Sequence, residues 1–280
     1  MAQDFDVETL RGRLRVHQFG ELGDVPVFCV PGLSSNSRVF DPLGEYREAR
    51  GRGIVAFDLR GRGWSEVTAA GTYGWENHAR DLFETADTLS IEQFDLVGHS
   101  MGAFVGMTAV SIDRAKRIRR LVLIDGLGIP AQTALAAIIA GLARLKDPFP
   151  SKDTYVEAVR SAGMAAPWNE YWERHYRYDL IETENGARPR TNLAAVTEDA
   201  TYGASHDVRA FWPMLRVPTL MLRAAVPLGG EDGFIVTRQD YDAFLRATPS
   251  ARGAEIAANH FGIAVDPETV TAIDEFLSSD

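Results

Sequence analysis

The ten residues Phe94-Asp-Leu-Val-Gly-His-Ser-Met-Gly-Ala103 restrict the folding of this chain more than any other stretch. A short apolar run enters Gly98-His99-Ser100-Met101-Gly102 and leaves it as an apolar helical pattern. A strand that turns directly into a helix through G-x-S-x-G holds its serine in a strained conformation with the hydroxyl clear of the sheet. Gly98 and Gly102 are required because a side chain at either place would collide with the turn or with neighbouring strands. The helix after Ser100 aims its N-terminal amides and positive dipole end at the reacting atom. The stretch reads as a nucleophile elbow and implies a reactive serine.

A length of 280 residues suits one large domain, or a core carrying an insert. The net charge of −10 argues against partners bound through bulk positive potential, so neither nucleic acid nor an anionic membrane is expected. Cys29 is the only cysteine, which excludes an internal disulfide, and its apolar surroundings at Val27-Phe-Cys-Val30 read as a buried, inert thiol. The N-terminus is acidic and lacks a leader pattern. The longest strongly apolar stretch, residues 134–143, is too short to cross a bilayer. A cytoplasmic enzyme with a small-molecule substrate is expected. The sequence admits a homodimer without specifying one.

Apolar runs at residues 25–30, 53–57, 94–97, 121–124 and 219–222 read as central strands, and residues 14–19 alternate like an edge strand. Residues 76–89 read as an amphipathic helix presenting Ala79, Leu82, Phe83, Ala86 and Leu89, and residues 267–277 as a final helix opened by Pro267. Strands alternating with helices imply an α/β fold whose mostly parallel, twisted sheet is flanked by helices. The rhythm stops over residues 129–209, which show no strand signal and are rich in aromatics. The expected organisation is a core of residues 1–128 and 210–280 with a helical lid inserted at 129–209.

Other features fall where acyl transfer needs them. Val30-Pro-Gly-Leu-Ser-Ser35 follows a central strand, so the amide of Leu33 can join that of Met101 in facing a developing oxyanion. Asp58-Leu-Arg-Gly-Arg-Gly-Trp-Ser65 follows the next strand and reads as structural support. His260, late in the chain within Ala257-Ala-Asn-His-Phe-Gly262, has the position of a general base. His17 and His78 lie on early elements, His175 and His206 in or near the lid, and the side chain of His99 is expected to turn away from the Ser100 hydroxyl. Two acids can orient His260: Asp125 at the end of Leu121-Val-Leu-Ile-Asp, or Asp232 (with Glu231 beside it) in the loop after the later strand. Asp125 is favoured because that loop is long and its acids lie far from the strand end. No H-E-x-x-H and no zinc-spaced Cys/His cluster is present, so no metal or other cofactor is expected.

Val30-Pro-Gly-Leu-Ser-Ser, Asp58-Leu-Arg-Gly-Arg-Gly-Trp-Ser65, Val97-Gly-His-Ser-Met-Gly-Ala103 and Arg120-Leu-Val-Leu-Ile-Asp125 together resemble the α/β-hydrolase superfamily. Within it they are similar to the N-formylmaleamate deformylases and 2-(acetamidomethylene)succinate hydrolases. The resemblance covers roughly residues 12–128 and 210–275. It implies a Ser100–His260–Asp125 triad, since the acid of that subgroup lies after the strand following the elbow. Most of the superfamily uses the later position, and the long loop of residues 225–232 keeps Asp232 open. The implied activity is hydrolysis of an amide or ester bond of a small, carboxylate-bearing metabolite. A carboxylesterase or lactonase, a carbon–carbon hydrolase of ring-cleavage products and a non-catalytic ligand-binding homologue are the alternatives. Lid arginines (Arg144, Lys146 beside it, Arg160, Arg174, Arg177) suit a carboxylate by bidentate bonding. Ser34, Trp168, Trp172 and Arg174 are candidate substrate contacts.

Overall fold

The structure is a computed structural model and describes residues 2–279. The elements run β1 (Gln3–Thr9), β2 (Gly12–Phe19), β3 (Val27–Val30), α1 (Asp41–Glu48), β4 (Ile54–Phe57), α2 (Trp75–Thr88), β5 (Phe94–His99), α3 (Met101–Ile112) and β6 (Ile118–Ile124). They continue with α4 (Gln132–Gly141), α5 (Lys152–Ser161), α6 (Glu170–Tyr178), β7 (Leu180–Thr183), β8 (Gly186–Pro189), α7 (Leu193–Ser205), β9 (Thr219–Ala224), α8 (Arg238–Ala247), β10 (Ala251–Ile256) and α9 (Pro267–Ser278). Eight strands form one sheet in the order β1-β2-β4-β3-β5-β6-β9-β10. All neighbours from β4 to β10 pair in parallel, and β1 and β2 run antiparallel at one side.

Alternation along the central strands builds two cores. Phe28 and Val30, Val55 and Phe57, Phe94 and Leu96, and Leu121 and Leu123 pack into the layer with α2, α3 and α8. Val27 and Cys29, Ile54 and Ala56, Val97, and Val122 and Ile124 face the opposite layer with α1 and α9. Side chains of a strand alternate between faces, so a strand buried on both sides reads as a continuous apolar run. Burial of Cys29 pushes its thiol well above the usual range, consistent with an inert side chain.

Two expectations require correction, and one strand has no counterpart among them. The edge beyond residues 14–19 is taken by β1, whose Asp4, Asp6 and Glu8 alternate outward and leave only Val7 buried. The opposite edge, β10, is fully buried only at Ile256 and carries no apolar run. Residues 129–209 are not wholly helical: β7 and β8 form a hairpin across Glu184-Asn185, followed by Gly186 at φ 132°. Asn-Gly is a hairpin signal in its own right.

Residues 129–209 leave the sheet after β6 and return before β9, which pairs directly with β6. Tyr155, Trp172, Tyr176 and Leu180 of this segment join the α1–α9 layer. No helix among the described residues is long and apolar enough to cross a membrane.

Candidate active site

Ser100 sits between β5 and α3 at φ 56°, ψ −121°, a conformation that disfavours any residue with a Cβ. Backbone bonds hold it there: Ser100 N–H donates to the Ile124 carbonyl at 2.8 Å, and the Ala103 N–H to the Ser100 carbonyl at 2.9 Å. A Cβ on Gly98 would lie 2.2 Å from the Gly102 carbonyl oxygen, and one on Gly102 would lie 2.0 Å from that of Val30. Both glycines are therefore dictated by close backbone approach. Met101 opens α3, so its amide has no intrahelical acceptor.

His260 lies on the loop between β10 and α9. Asn259 shapes that loop by accepting from the Phe261 and Gly262 amides at 3.1 and 2.8 Å, and it donates to the Met164 carbonyl at 3.1 Å. His260 Nδ1 lies 2.8 Å from Asp125 Oδ2, both side chains being buried. Asp125 Oδ1 accepts from the Ala224 amide at 3.0 Å, which fixes the carboxylate plane. Asp125, at φ 44°, turns the chain at the end of β6. Asp232, by contrast, is exposed on the loop after β9.

His99 lies against the other face of this arrangement. Its ring stacks on that of His260 with centroids 5.0 Å apart, and its Nε2 lies 3.0 Å from the His260 carbonyl oxygen. A carbonyl only accepts, so Nε2 carries the hydrogen and Nδ1 is a bare acceptor. Burial and the neighbouring His260 lower the His99 pKa to about 3, and burial with Arg144 lowers that of His175 to about 3. Both rings are neutral at ordinary pH.

The Asp58–Ser65 loop braces the site from below. Asp58 accepts from the Ser37 and Trp64 amides and the Tyr178 hydroxyl, each at 2.8 Å. Arg60 pairs with Asp81 of α2 at 2.6 Å. Arg62 donates from Nε to the Leu33 carbonyl at 2.9 Å and pairs with Asp199 of α7 at 2.7 Å, so one guanidinium ties the turn after β3 to the inserted segment. Burial works to raise the Asp199 pKa, but His78 and Arg62 outweigh it and hold the carboxyl below the usual range.

Two cavities meet at Ser100 and His260, sharing also Leu33 and Ile138. The first, of about 390 Å³, includes Ser34, His99, Arg144, Trp172 and His175 in its wall. Arg144 donates to the Ser34 carbonyl at 2.8 Å, and among the described residues it forms no ion pair with a carboxylate. Arg144 Nε, His99 Nδ1, His175 Nδ1 and Trp172 Nε1 are buried without a hydrogen-bond partner. The second cavity, of about 380 Å³, lies between α3, α4 and α7 and includes Met101, Trp75 and Phe104. Of the candidate substrate contacts, Ser34 and Trp172 line the first cavity. Trp168 instead stacks on Tyr176 at 5.8 Å, and Arg174 turns outward to Glu45 at 2.6 Å, neutralised at the surface. His175 carried no distinctive signal beyond its position three residues after Trp172 on one helix face.

A family model described as the alpha/beta hydrolase fold matches residues 25–267. The chain belongs to that family. The chain spans about half or less, 28 to 52%, of the length of several curated relatives it matches. It is 27% identical to the 2-(acetamidomethylene)succinate hydrolase of Mesorhizobium japonicum over 89% of this chain and 86% of that one. The crystal structure of an E-2-(acetamidomethylene)succinate hydrolase superposes with a TM-score of 0.87 at 24% identity, covering 100% of both chains, which shows the shared fold. The chain is also 31% identical to the 3-hydroxybutyrate-oligomer hydrolase of Cupriavidus necator over 95% of this chain and 93% of the other. To the N-formylmaleamate deformylase of Pseudomonas putida it is 34% identical over 35% of this chain and 36% of the other.

Removing one partner of a buried ion pair leaves an uncompensated charge, at a cost of about 3–5 kcal/mol. Asp199→Ala is expected to destabilise the fold by about that amount in urea unfolding, because Arg62 loses its partner while still bound to Leu33. A change below about 1 kcal/mol would show that the pair does not brace the Leu33 turn.

Proposed function

We propose that this protein is a serine hydrolase that cleaves an amide or ester bond of a small, carboxylate-bearing metabolite through an acyl-enzyme. The observation that carries the reading is the His260 Nδ1–Asp125 Oδ2 contact of 2.8 Å, set beside the strained Ser100 in a shared cavity wall. Asp125 orients His260 and stabilises the imidazolium. His260 takes the proton from Ser100, whose oxygen attacks the carbonyl carbon. The amides of Leu33 and Met101 receive the oxyanion; the Ser35 N–H bond to the Gly32 carbonyl at 3.2 Å holds the Gly32–Leu33 peptide, and the Arg62 bond to the Leu33 carbonyl holds the peptide that follows it. His260 then protonates the leaving group and activates the water that releases the acid.

The carboxylate reading rests on Arg144. Its guanidinium lines the first cavity with a buried, unpartnered Nε and no carboxylate ion pair among the described residues. A buried donor of this kind is costly unless a ligand satisfies it. The relatives named for N-formylmaleamate and 2-(acetamidomethylene)succinate support an amide of a dicarboxylate as the sharpest form of the reading.

Ser100→Ala and His260→Ala should each lower kcat by roughly 10⁴-fold or more, and Asp125→Asn by roughly 10³–10⁴-fold, in circular-dichroism-verified folded protein. Asp232→Asn should stay within about threefold of the wild type. Loss in Asp232→Asn with an active Asp125→Asn would overturn the triad. Arg144→Gln should lower kcat/KM about ten- to hundredfold for N-acyl dicarboxylates while changing turnover of neutral p-nitrophenyl acetate much less. An equal loss on both substrates would count against carboxylate recognition.

A further inference from the structure

The two cavities flanking Ser100 and His260 differ in what remains unsatisfied. The first holds four buried polar atoms without partners, from Arg144, His99, His175 and Trp172. In the second, the polar side chains are already engaged. Asp199 pairs with Arg62 and His78, Asp207 with Arg209 at 2.8 Å, and Ser205 and His206 bond the Tyr202 carbonyl at 2.9 and 2.8 Å. Among the described residues of its wall, only Trp75 Nε1 is buried and unpaired. The rest of that wall is largely hydrocarbon and aromatic, with Phe104 packed on Trp75 at 5.0 Å. Its rim is apolar as well: Ile129 and Leu135 are 57% and 43% exposed.

A cavity of about 150 Å³ with apolar walls is enough to take up benzene. The second chamber, at about 380 Å³, is more than twice that size. A formyl or acetyl group would leave most of it unfilled, and an apolar space of this size beside a reacting centre is suited to ligand carbon rather than to ordered water.

We propose that the second chamber is an apolar subsite and that the substrates are amphiphilic acyl compounds, with a carboxylate in the Arg144 chamber, an aryl or medium-length alkyl group in the Trp75–Phe104 chamber, and the scissile carbonyl at Ser100 between them. This rests on the serine-hydrolase reading and extends it, since it requires a larger apolar half than the names of the formyl- and acetyl-bearing relatives suggest. Ile138 of α4 lines both chambers and sits where the two halves of such a molecule would diverge.

Straight-chain alkylboronic acids test the chamber without a leaving group. The Ser100 oxygen donates an electron pair to boron, its proton passes to His260, and no redox step is involved. Burial of each methylene is worth about 0.8 kcal/mol, so affinity should rise about fourfold per methylene from methyl to hexyl before levelling. Ala204→Trp, on an exposed position of α7 that lines the chamber, should flatten that rise and shift the optimum to shorter chains. Its thermal midpoint is measured alongside to confirm folding. A flat or falling series in the wild type, or a rise that Ala204→Trp leaves unchanged, would overturn the apolar subsite. Tight methylboronate binding with a flat series would refute the chamber alone, whereas no binding at any length would overturn the serine reading with it.

Discussion

The close approach of α3 to the ends of β3 and β5 is the constraint on which the rest of this structure depends. It exists because Gly98 and Gly102 carry no Cβ, either of which would strike a backbone carbonyl. With that gap closed, Ser100 is held at positive φ by its bond to Ile124. The same contact brings the first amide of α3 and the turn after β3 to one point. Strain at one residue is thus set against the packing of two central strands and a buried helix, which can hold a position that a loop alone would relax.

Around that point the protein spends buried charge on orientation. Asp58, Arg60 and Arg62 come from one loop, yet they reach the Ser37 turn, α2 and α7 respectively. Buried ion pairs of this kind contribute little net stability over apolar packing but penalise any arrangement that separates them. Here they lock the inserted segment to the sheet and fix the Leu33 carbonyl. Asp125 plays the same part for His260, being itself fixed by the Ala224 amide on the adjacent strand. Four of the polar groups left unsatisfied, on Arg144, His99, His175 and Trp172, belong to the wall of one cavity beside Ser100, where the proposed carboxylate would lie.

Much of the core was legible because central parallel strands are buried on both faces and appear as unbroken apolar runs, as at residues 27–30 and 54–57. The edges were not, because β1 and β10 are largely solvated and their polar residues resemble loop. The β7–β8 hairpin was signalled only by Asn185-Gly186 and is too short to show a period. Ser100, His260 and Asp125 could be named from local motifs and chain order, and the structure brings the last two together. Arg174 illustrates the limit. Its charge suited a carboxylate, but whether a helical arginine faces a cavity or a neighbour such as Glu45 depends on helix rotation, which a short aromatic-rich helix does not reveal. Arg144 faces the cavity for tertiary reasons of the same kind, through its bond to Ser34.

The account turns on a covalent bond to Ser100. Acid-quenched turnover of p-nitrophenyl acetate, followed by peptide mass spectrometry, tests it directly. The expected result is one acetyl group on the peptide containing Ser100, formed in the wild type and absent when His260 is replaced by alanine. Turnover with no acylated Ser100, or acetylation that persists undiminished without His260, would contradict it.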